Sequence, residues 1–116
     1  MDTQSQTRVM RIYLSSTDKF KNAPLFEALV FMAKRNKMAG STVLKGVMGF
    51  GASSAISSTR FWSVSEKLPM IIEIIDEEEK INKFFKIIKP YLEKVKKGIM
   101  VTIETNNVLM YKSGGK

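Results

Sequence analysis

The residues best suited to chemistry lie in one block, Thr42-Val43-Leu44-Lys45-Gly46-Val47-Met48-Gly49-Phe50-Gly51. A β-prone run opens into a Gly-Phe-Gly corner, and Ser53 and Ser54 follow it. Glycines at a strand end let backbone N–H groups approach an anion, and serine hydroxyls add donors. Gly49, Phe50, Gly51, Ser53 and Ser54 are therefore candidate ligand contacts. The same glycines also suit a plain tight corner or a bulge. Neither stricter phosphate motif is present. No Gly-x-x-x-x-Gly-Lys-Ser/Thr occurs, and Gly49-Phe50-Gly51-Ala52-Ser53-Ser54 lacks the third glycine of a dinucleotide fingerprint. Lys45, Lys97 and Lys112 fall at expected strand ends, where an ammonium can neutralise a phosphate; the alternative is three solvated surface lysines. Glu73 interrupts an apolar strand, and it either pairs with a lysine, bonds a ligand or faces water at an edge. Arg60, Phe61 and Trp62 suit a partner-binding loop, because arginine and aromatic side chains anchor interfaces. The alternative is an ordinary hairpin whose aromatics fold inward.

What is missing narrows the chemistry further. The 116 residues include no cysteine and no histidine, which excludes disulfides, thiolate and imidazole metal ligands, cysteine nucleophiles and imidazole bases within this chain. No paired carboxylates stand at an informative spacing, so no catalytic residue, enzyme activity or metal site is expected. The net charge of +8 permits phosphate ligands, nucleic acid or anionic lipid. Only four of the nineteen basic residues are arginine, the better bidentate reader of phosphate, so the lysines also read as a solvated surface. Lys80, Lys83, Lys86, Lys89 and Lys94 in particular read as one solvated helix face. No apolar run approaches the roughly 20 residues that span a bilayer, and the polar start lacks a signal-peptide pattern; a cytoplasmic protein is expected.

The elements that must hold these residues follow from periodicity. Arg8 to Ser15 alternates as a first strand. Pro24 opens a helix near 24–37 with Leu25, Ala28, Leu29 and Met32 at helical spacing, and Phe26, Val30 and Phe31 widen its apolar surface toward a neighbouring subunit. A second strand spans about 42–49, and residues 50–67 form a loop or loose hairpin. Leu68 to Ile75 is a nearly continuous apolar strand with Pro69 at its start or on an edge, so both of its faces need cover. Asp76 and Glu79 have capping-box spacing for a second helix, with Ile81, Phe84, Phe85 and Ile88 as its buried stripe. Pro90 is expected to break or kink that helix. Ile99 to Thr105 is a fourth strand, Asn106-Asn107 a turn, and Val108 to Tyr111 a short final strand.

The order β-α-β-β-α-β specifies an α+β, ferredoxin-like sandwich with an antiparallel sheet, helices on one face and a short extra C-terminal strand. One domain is expected over residues 8–112, with a disordered lead-in at 1–7 and a flexible tail at 113–116. Packing of sheets in an oligomer would cover the second face.

Several of these segments resemble one family. Gly46-Val47-Met48-Gly49-Phe50-Gly51-Ala52-Ser53-Ser54, Ser65-Glu66-Lys67-Leu68-Pro69 and Ile72-Glu73-Ile74-Ile75-Asp76 resemble the family termed domain of unknown function 190, as do Arg11-Ile12-Tyr13-Leu14 and Pro24-Leu25-Phe26-Glu27-Ala28. The resemblance runs from about residue 8 to residue 111. That family is similar to the PII signalling proteins, which are ferredoxin-like trimers that bind adenine nucleotides between subunits and contact targets through a mobile loop after the second strand. The resemblance implies a homotrimer, an ATP, ADP or AMP ligand, and a partner loop at 50–67. It also implies a phosphate-loop role for Lys97 and Gly98. A membrane channel or transporter is one implied target, since family members are often encoded beside channels. Several positions depart from the pattern. Met110 and Lys112 stand where PII proteins carry two phosphate-holding arginines, and Lys96-Lys97-Gly98 replaces a longer glycine-rich loop. Ser57 stands near a usual histidine of the closer family, and Ala55 at its usual basic position.

Two function classes follow. The first is a non-enzymatic regulator whose cleft ligand changes the affinity of loop 50–67 for a target. The second is an RNA-binding ferredoxin-like module. Nucleic acid is not expected, because the aromatic-rich strand of such modules is absent.

Overall fold

The computed structural model describes residues 1–51, 57–58 and 67–114, with 57–58 described by their backbone alone. Strand β1 (Thr7–Ser15) is followed by helix α1 (Leu25–Arg35), strand β2 (Gly40–Lys45), strand β3 (Pro69–Glu77), helix α2 (Glu78–Glu93) and strand β4 (Met100–Asn106). The four strands form one sheet in the order β2-β3-β1-β4, with every pairing antiparallel. This is the split βαβ, ferredoxin-like arrangement. Two short ribbons accompany it: Lys19–Phe20 pairs with Ala23–Pro24, and Met48–Gly49 pairs with Ser57–Ser58.

One face of the sheet meets both helices. Met10, Ile12 and Leu14 of β1 and Met70, Ile72 and Ile74 of β3 alternate along their strands onto this face. They pack against Leu25, Leu29 and Ala33 of α1, and against Ile81, Phe84, Ile88 and Leu92 of α2. The helical residues recur at intervals of three and four, so each helix presents one stripe to the core. Glu27 in the first turn of α1, and Lys34 and Arg35 in its last, complement the helix dipole. Phe31 stays 64% exposed, on the part of α1 that the core does not use.

Among the described residues, no helix lies over the opposite face. Strand register aligns Leu44, Ile71, Tyr13 and Met100 in one row across all four strands. Leu44 is 45% and Met100 61% exposed, so this apolar row is open. Beside this row lies an ionic cluster centred on Arg11. Arg11 Nε donates to Glu73 Oε2 on β3 at 2.8 Å, and Arg11 Nη1 donates to Glu104 on β4. Glu73 is thus the partner of an arginine rather than of a lysine.

Several element boundaries differ from the sequence reading. The second strand stops at Lys45; the backbone turns at Gly46-Val47, and Met48–Gly49 joins a separate ribbon. Asp76 is not a helix cap. Pairing of Thr7 with Glu77 carries β3 two residues past Ile75, and the helix starts after Glu77, which makes no side-chain cap. The Asp76 carboxylate is instead buried, accepting the Ala39 N–H at 2.8 Å and the Glu77 N–H at 2.7 Å, with Lys80 Nζ at 3.2 Å. Helix α2 runs through Pro90. Pro90 and Lys86 are both exposed, so the carbonyl that loses its bond to Pro90 faces water while the buried stripe continues to Leu92. No strand forms at Val108–Tyr111. Asn106 stays paired with Thr7, whose Oγ1 donates to the Asn106 carbonyl at 2.7 Å, and Asn107 alone is too short for a two-residue hairpin turn. Leu109 is consequently 97% exposed.

Candidate functional site

A cleft of about 410 Å³ opens at the end of the sheet where β1 ends, β2 departs, and β3 and β4 begin. This volume lies within the range of small-ligand pockets. Its walls come from four segments: Tyr13 to Ser15, Gly46 with Met48 to Gly51, Lys67 to Ile71, and Lys97 to Met100.

The glycine block forms one wall because of Pro69. The Gly46 N–H donates to the Pro69 carbonyl at 2.7 Å, which turns the chain out of β2 directly over the proline. A Cβ at Gly46 would stand 2.7 Å from Pro69 Cγ, and one at Gly49 would stand 3.3 Å from the same atom. Gly46 is thus needed for close approach to the proline ring, and Gly49 fits against it closely. Phe50 projects beyond them and is 76% exposed. Pro69 itself is the first residue of β3, where its missing N–H costs no ladder bond.

The wall at Leu68 is fixed by Ser16. The Ser16 N–H donates to the Leu68 carbonyl at 2.9 Å, and the Leu68 N–H donates to Ser16 Oγ at 3.0 Å. This reciprocal pair anchors the residue next to Lys67. Asp18 is buried just behind, its carboxylate accepting the Ser15 N–H at 2.9 Å.

Charge in the cleft has one sign. Lys67 and Lys97 line it, and no carboxylate does among the described residues. The Lys67 ammonium is held below the usual lysine pKa, first by its contact with the Lys97 side chain and by the positive charge there, then by desolvation. Asp18 opposes that shift.

Of the residues singled out from sequence, Gly49, Phe50, Gly51, Lys97 and Gly98 line this cleft together. Lys45 is exposed on β2 opposite Met70, Glu73 belongs to the open sheet face, and Lys112 is exposed beyond β4; none of the three lines the cleft. Ser53, Ser54, Arg60, Phe61 and Trp62 lie outside the described residues. Sequence reasoning missed Lys67 and Tyr13. Lys67 precedes the Leu68-Pro69 element, which was itself recognised, and that adjacency was the available signal. Tyr13 carries no local mark of a site.

Among the described residues, no helix is long and apolar enough to cross a membrane. No group of three or more acidic, histidine or cysteine side chains is placed to hold a metal ion among them.

The family model described as "Uncharacterized ACR, COG1993", domain of unknown function 190, matches residues 7–108. A "UPF0166 protein" of Aquifex aeolicus is 34% identical over 82 residues, covering 71% of this chain and 78% of its own length. A second, from Methanocaldococcus jannaschii, is 33% identical over 88 residues, covering 72% and 81%. Two solved structures share the fold. A putative PII-like signalling protein from Thermus thermophilus superposes with a TM-score of 0.62 at 17% identity, covering 88% of each chain. CPII, a nitrogen regulatory PII-like protein from Thiomonas intermedia K12 bound to ADP, AMP and bicarbonate, superposes with a TM-score of 0.61 at 14% identity, covering 89% of this chain and 90% of that one. The matched span takes in every strand and both helices, and the chain belongs to the domain of unknown function 190 family, with the PII-like form of the ferredoxin-like fold.

Proposed function

We propose that this chain is a non-enzymatic, cytoplasmic PII-like regulator that binds an adenine nucleotide, ATP, ADP or AMP, in the cleft beside Gly46–Gly51. The observation that carries this reading is the composition of the cleft. A glycine-walled, largely apolar cavity has two lysines and no carboxylate on its described walls. Apolar walls suit a base, and the glycine-bordered, cationic end suits phosphate. The Thiomonas protein of the same fold was solved with ADP and AMP.

The open row of Leu44, Ile71, Tyr13 and Met100 supports assembly of subunits through their sheets, as a homotrimer whose clefts lie between subunits. An uncovered apolar band across a whole sheet is a characteristic interaction surface. The residues that bound the segment 52–66, Gly51 and Lys67, both line this cleft. Nucleotide binding is therefore coupled to presentation of that segment to a protein target, such as a membrane channel or transporter. The coupling requires the nucleotide to bind one state of the segment more tightly than another.

The RNA-module reading is weaker. Ferredoxin-like RNA binders stack bases on sheet aromatics, whereas this sheet face offers Tyr13 beside the carboxylates of Glu73 and Glu104. Light scattering combined with a thermal-shift screen of ATP, ADP, AMP, cyclic nucleotides and small anions tests the proposal. A trimer stabilised by an adenine nucleotide is expected. A monomer, or a trimer indifferent to every adenine nucleotide, overturns it.

A further inference from the structure

The exposed lysines are not spread evenly over the molecule. Lys19, Lys21, Lys45 and Lys94 all lie near the walls of the cleft, and all four are exposed. The ribbon that carries Lys19 is seated on α2 by Phe20, whose ring meets Tyr91 edge-on with 5.0 Å between centroids. Lys21 Nζ stands 5.4 Å from the Phe20 ring centroid and Lys94 Nζ 5.9 Å from that of Tyr91, so one aromatic pair holds an ammonium group at each side. None of the four lysines forms an ion pair among the described residues. Asp18 is buried, which leaves Glu27 and Glu93 as the exposed carboxylates of this end among the described residues. The other end of the molecule is balanced. Arg8 pairs with Glu78 and Lys80 with Asp76 there, and Asp2, Glu77 and Glu79 offset Lys34, Arg35 and Lys37.

The lysine-rich end also carries an apolar tip. Val47 is 73%, Met48 57% and Phe50 76% exposed, on the segment that turns out of the sheet at Gly46. Apolar side chains standing among unpaired lysines are the pattern of a surface that settles at the boundary between lipid headgroups and acyl chains. We propose that this end docks on an anionic bilayer, with Val47, Met48 and Phe50 at that boundary and Lys19, Lys21, Lys45 and Lys94 among the headgroups. The proposal is independent of what the cleft binds. Lysine is a compact point charge that suits a diffuse layer of headgroups, and among the described residues the cations of this end include no arginine. Val47 and Met48 offer no ring for a nucleobase to stack on, which favours lipid over nucleic acid. Docking in this way turns the cleft toward the membrane.

Co-sedimentation of the full-length protein with vesicles tests this, using phosphatidylcholine alone and an equal mixture of phosphatidylcholine and phosphatidylglycerol. Binding is expected to the mixed vesicles only, and it should weaken as added salt screens the lysines. The double variant Lys19→Gln, Lys21→Gln should weaken it by roughly 25-fold, about fivefold for each lysine. The control Lys34→Gln, Arg35→Gln removes the same charge from the other end and should stay within about twofold of wild type. Val47→Ser, at an exposed position that does not support the core, should weaken binding several-fold. Equal losses in the two double variants overturn the proposal, since bulk charge then drives binding. Equal binding to both kinds of vesicle, or to neither, overturns it as well. Wild-type binding by Val47→Ser overturns it too, because the contact is then ionic alone. Binding of a single-stranded RNA oligonucleotide without binding of the mixed vesicles overturns it in favour of a nucleic-acid surface.

Discussion

Gly46 and Pro69 are in mutual contact across the mouth of the cleft: the Gly46 N–H donates to the Pro69 carbonyl at 2.7 Å, and the glycine has no room for a Cβ over the proline ring. The contact ties the end of β2 to the start of β3 and sets the direction in which residues 46–51 leave the sheet.

Gly46→Ala places a methyl 2.7 Å from Pro69 Cγ and 3.2 Å from the Pro69 carbonyl oxygen. Overpacking of this kind costs about 1–3 kcal/mol. Gly49→Ala meets Pro69 Cγ at 3.3 Å, where a shift of a few tenths of an ångström suffices. Denaturant titration of the two variants should rank Gly46→Ala as clearly the less stable. An equal effect would show that Pro69 does not set the wall.

Asp76 gives a second stability test. Its buried carboxylate serves two backbone N–H groups, at Ala39 and Glu77, and Lys80. Asp76→Ala should cost about 2–4 kcal/mol, because buried donors lose their acceptor. Glu79→Ala, at the exposed position that capping-box spacing would make important, should change stability by no more than about 0.5 kcal/mol. Thermal melts of both variants separate a buried acceptor from a helix cap, since a cap would make the two losses comparable.

Arg11 links three strands of the open face through Glu73 and Glu104. All three side chains are partly exposed, so in an isolated subunit the pairs are worth only about 0.5–1 kcal/mol. If subunits assemble through this face the pairs become desolvated, and Arg11→Ala leaves two carboxylates without a partner in the interface. Sedimentation of Arg11→Ala is therefore expected to show weakened assembly well beyond its small loss in melting temperature. Intact assembly would place the interface elsewhere.

Lys67 offers a test by pH. Its folded-state pKa is lowered, chiefly by Lys97. Below that lowered value the group is charged in both folded and unfolded chains, and the folded protein carries the repulsion. Between the lowered value and the ordinary lysine pKa the unfolded chain binds more protons, so stability rises with pH. Lys67→Met should remove this alkaline rise and leave the unliganded protein no less stable at neutral pH. Melting curves across the alkaline range check both outcomes; a variant less stable at neutral pH contradicts them.

Much of the scaffold was legible because it follows from short-range patterns. Ile72 and Ile74 in a continuous apolar strand, and Ile81, Phe84 and Ile88 at helical spacing, specify their elements and their core face without knowledge of the rest. Elements that depended on distant partners were not legible. Asp76 resembled a cap because Thr7, which extends β3 by pairing with Glu77, lies at the other end of the chain. Pro90 resembled a helix breaker, but the buried stripe through Leu92 outweighs one missing bond whose carbonyl is exposed. At the cleft, Gly49, Phe50 and Gly51 are adjacent in sequence and stood out as a motif. That Lys67 and Lys97 line the same cleft follows only once β3 and the turn after α2 are brought together, and no local spacing announces it.

The central claim is that residues 46–51 and the turn at Lys97-Gly98 are two walls of one nucleotide site. Amide hydrogen exchange, measured with and without saturating ADP, tests it most directly. Slowed exchange is expected in both segments together, with Thr3–Thr7 and Thr105–Val108 at the opposite end of the molecule unchanged. Unaltered exchange at both walls, or protection confined to that distal end, would contradict it.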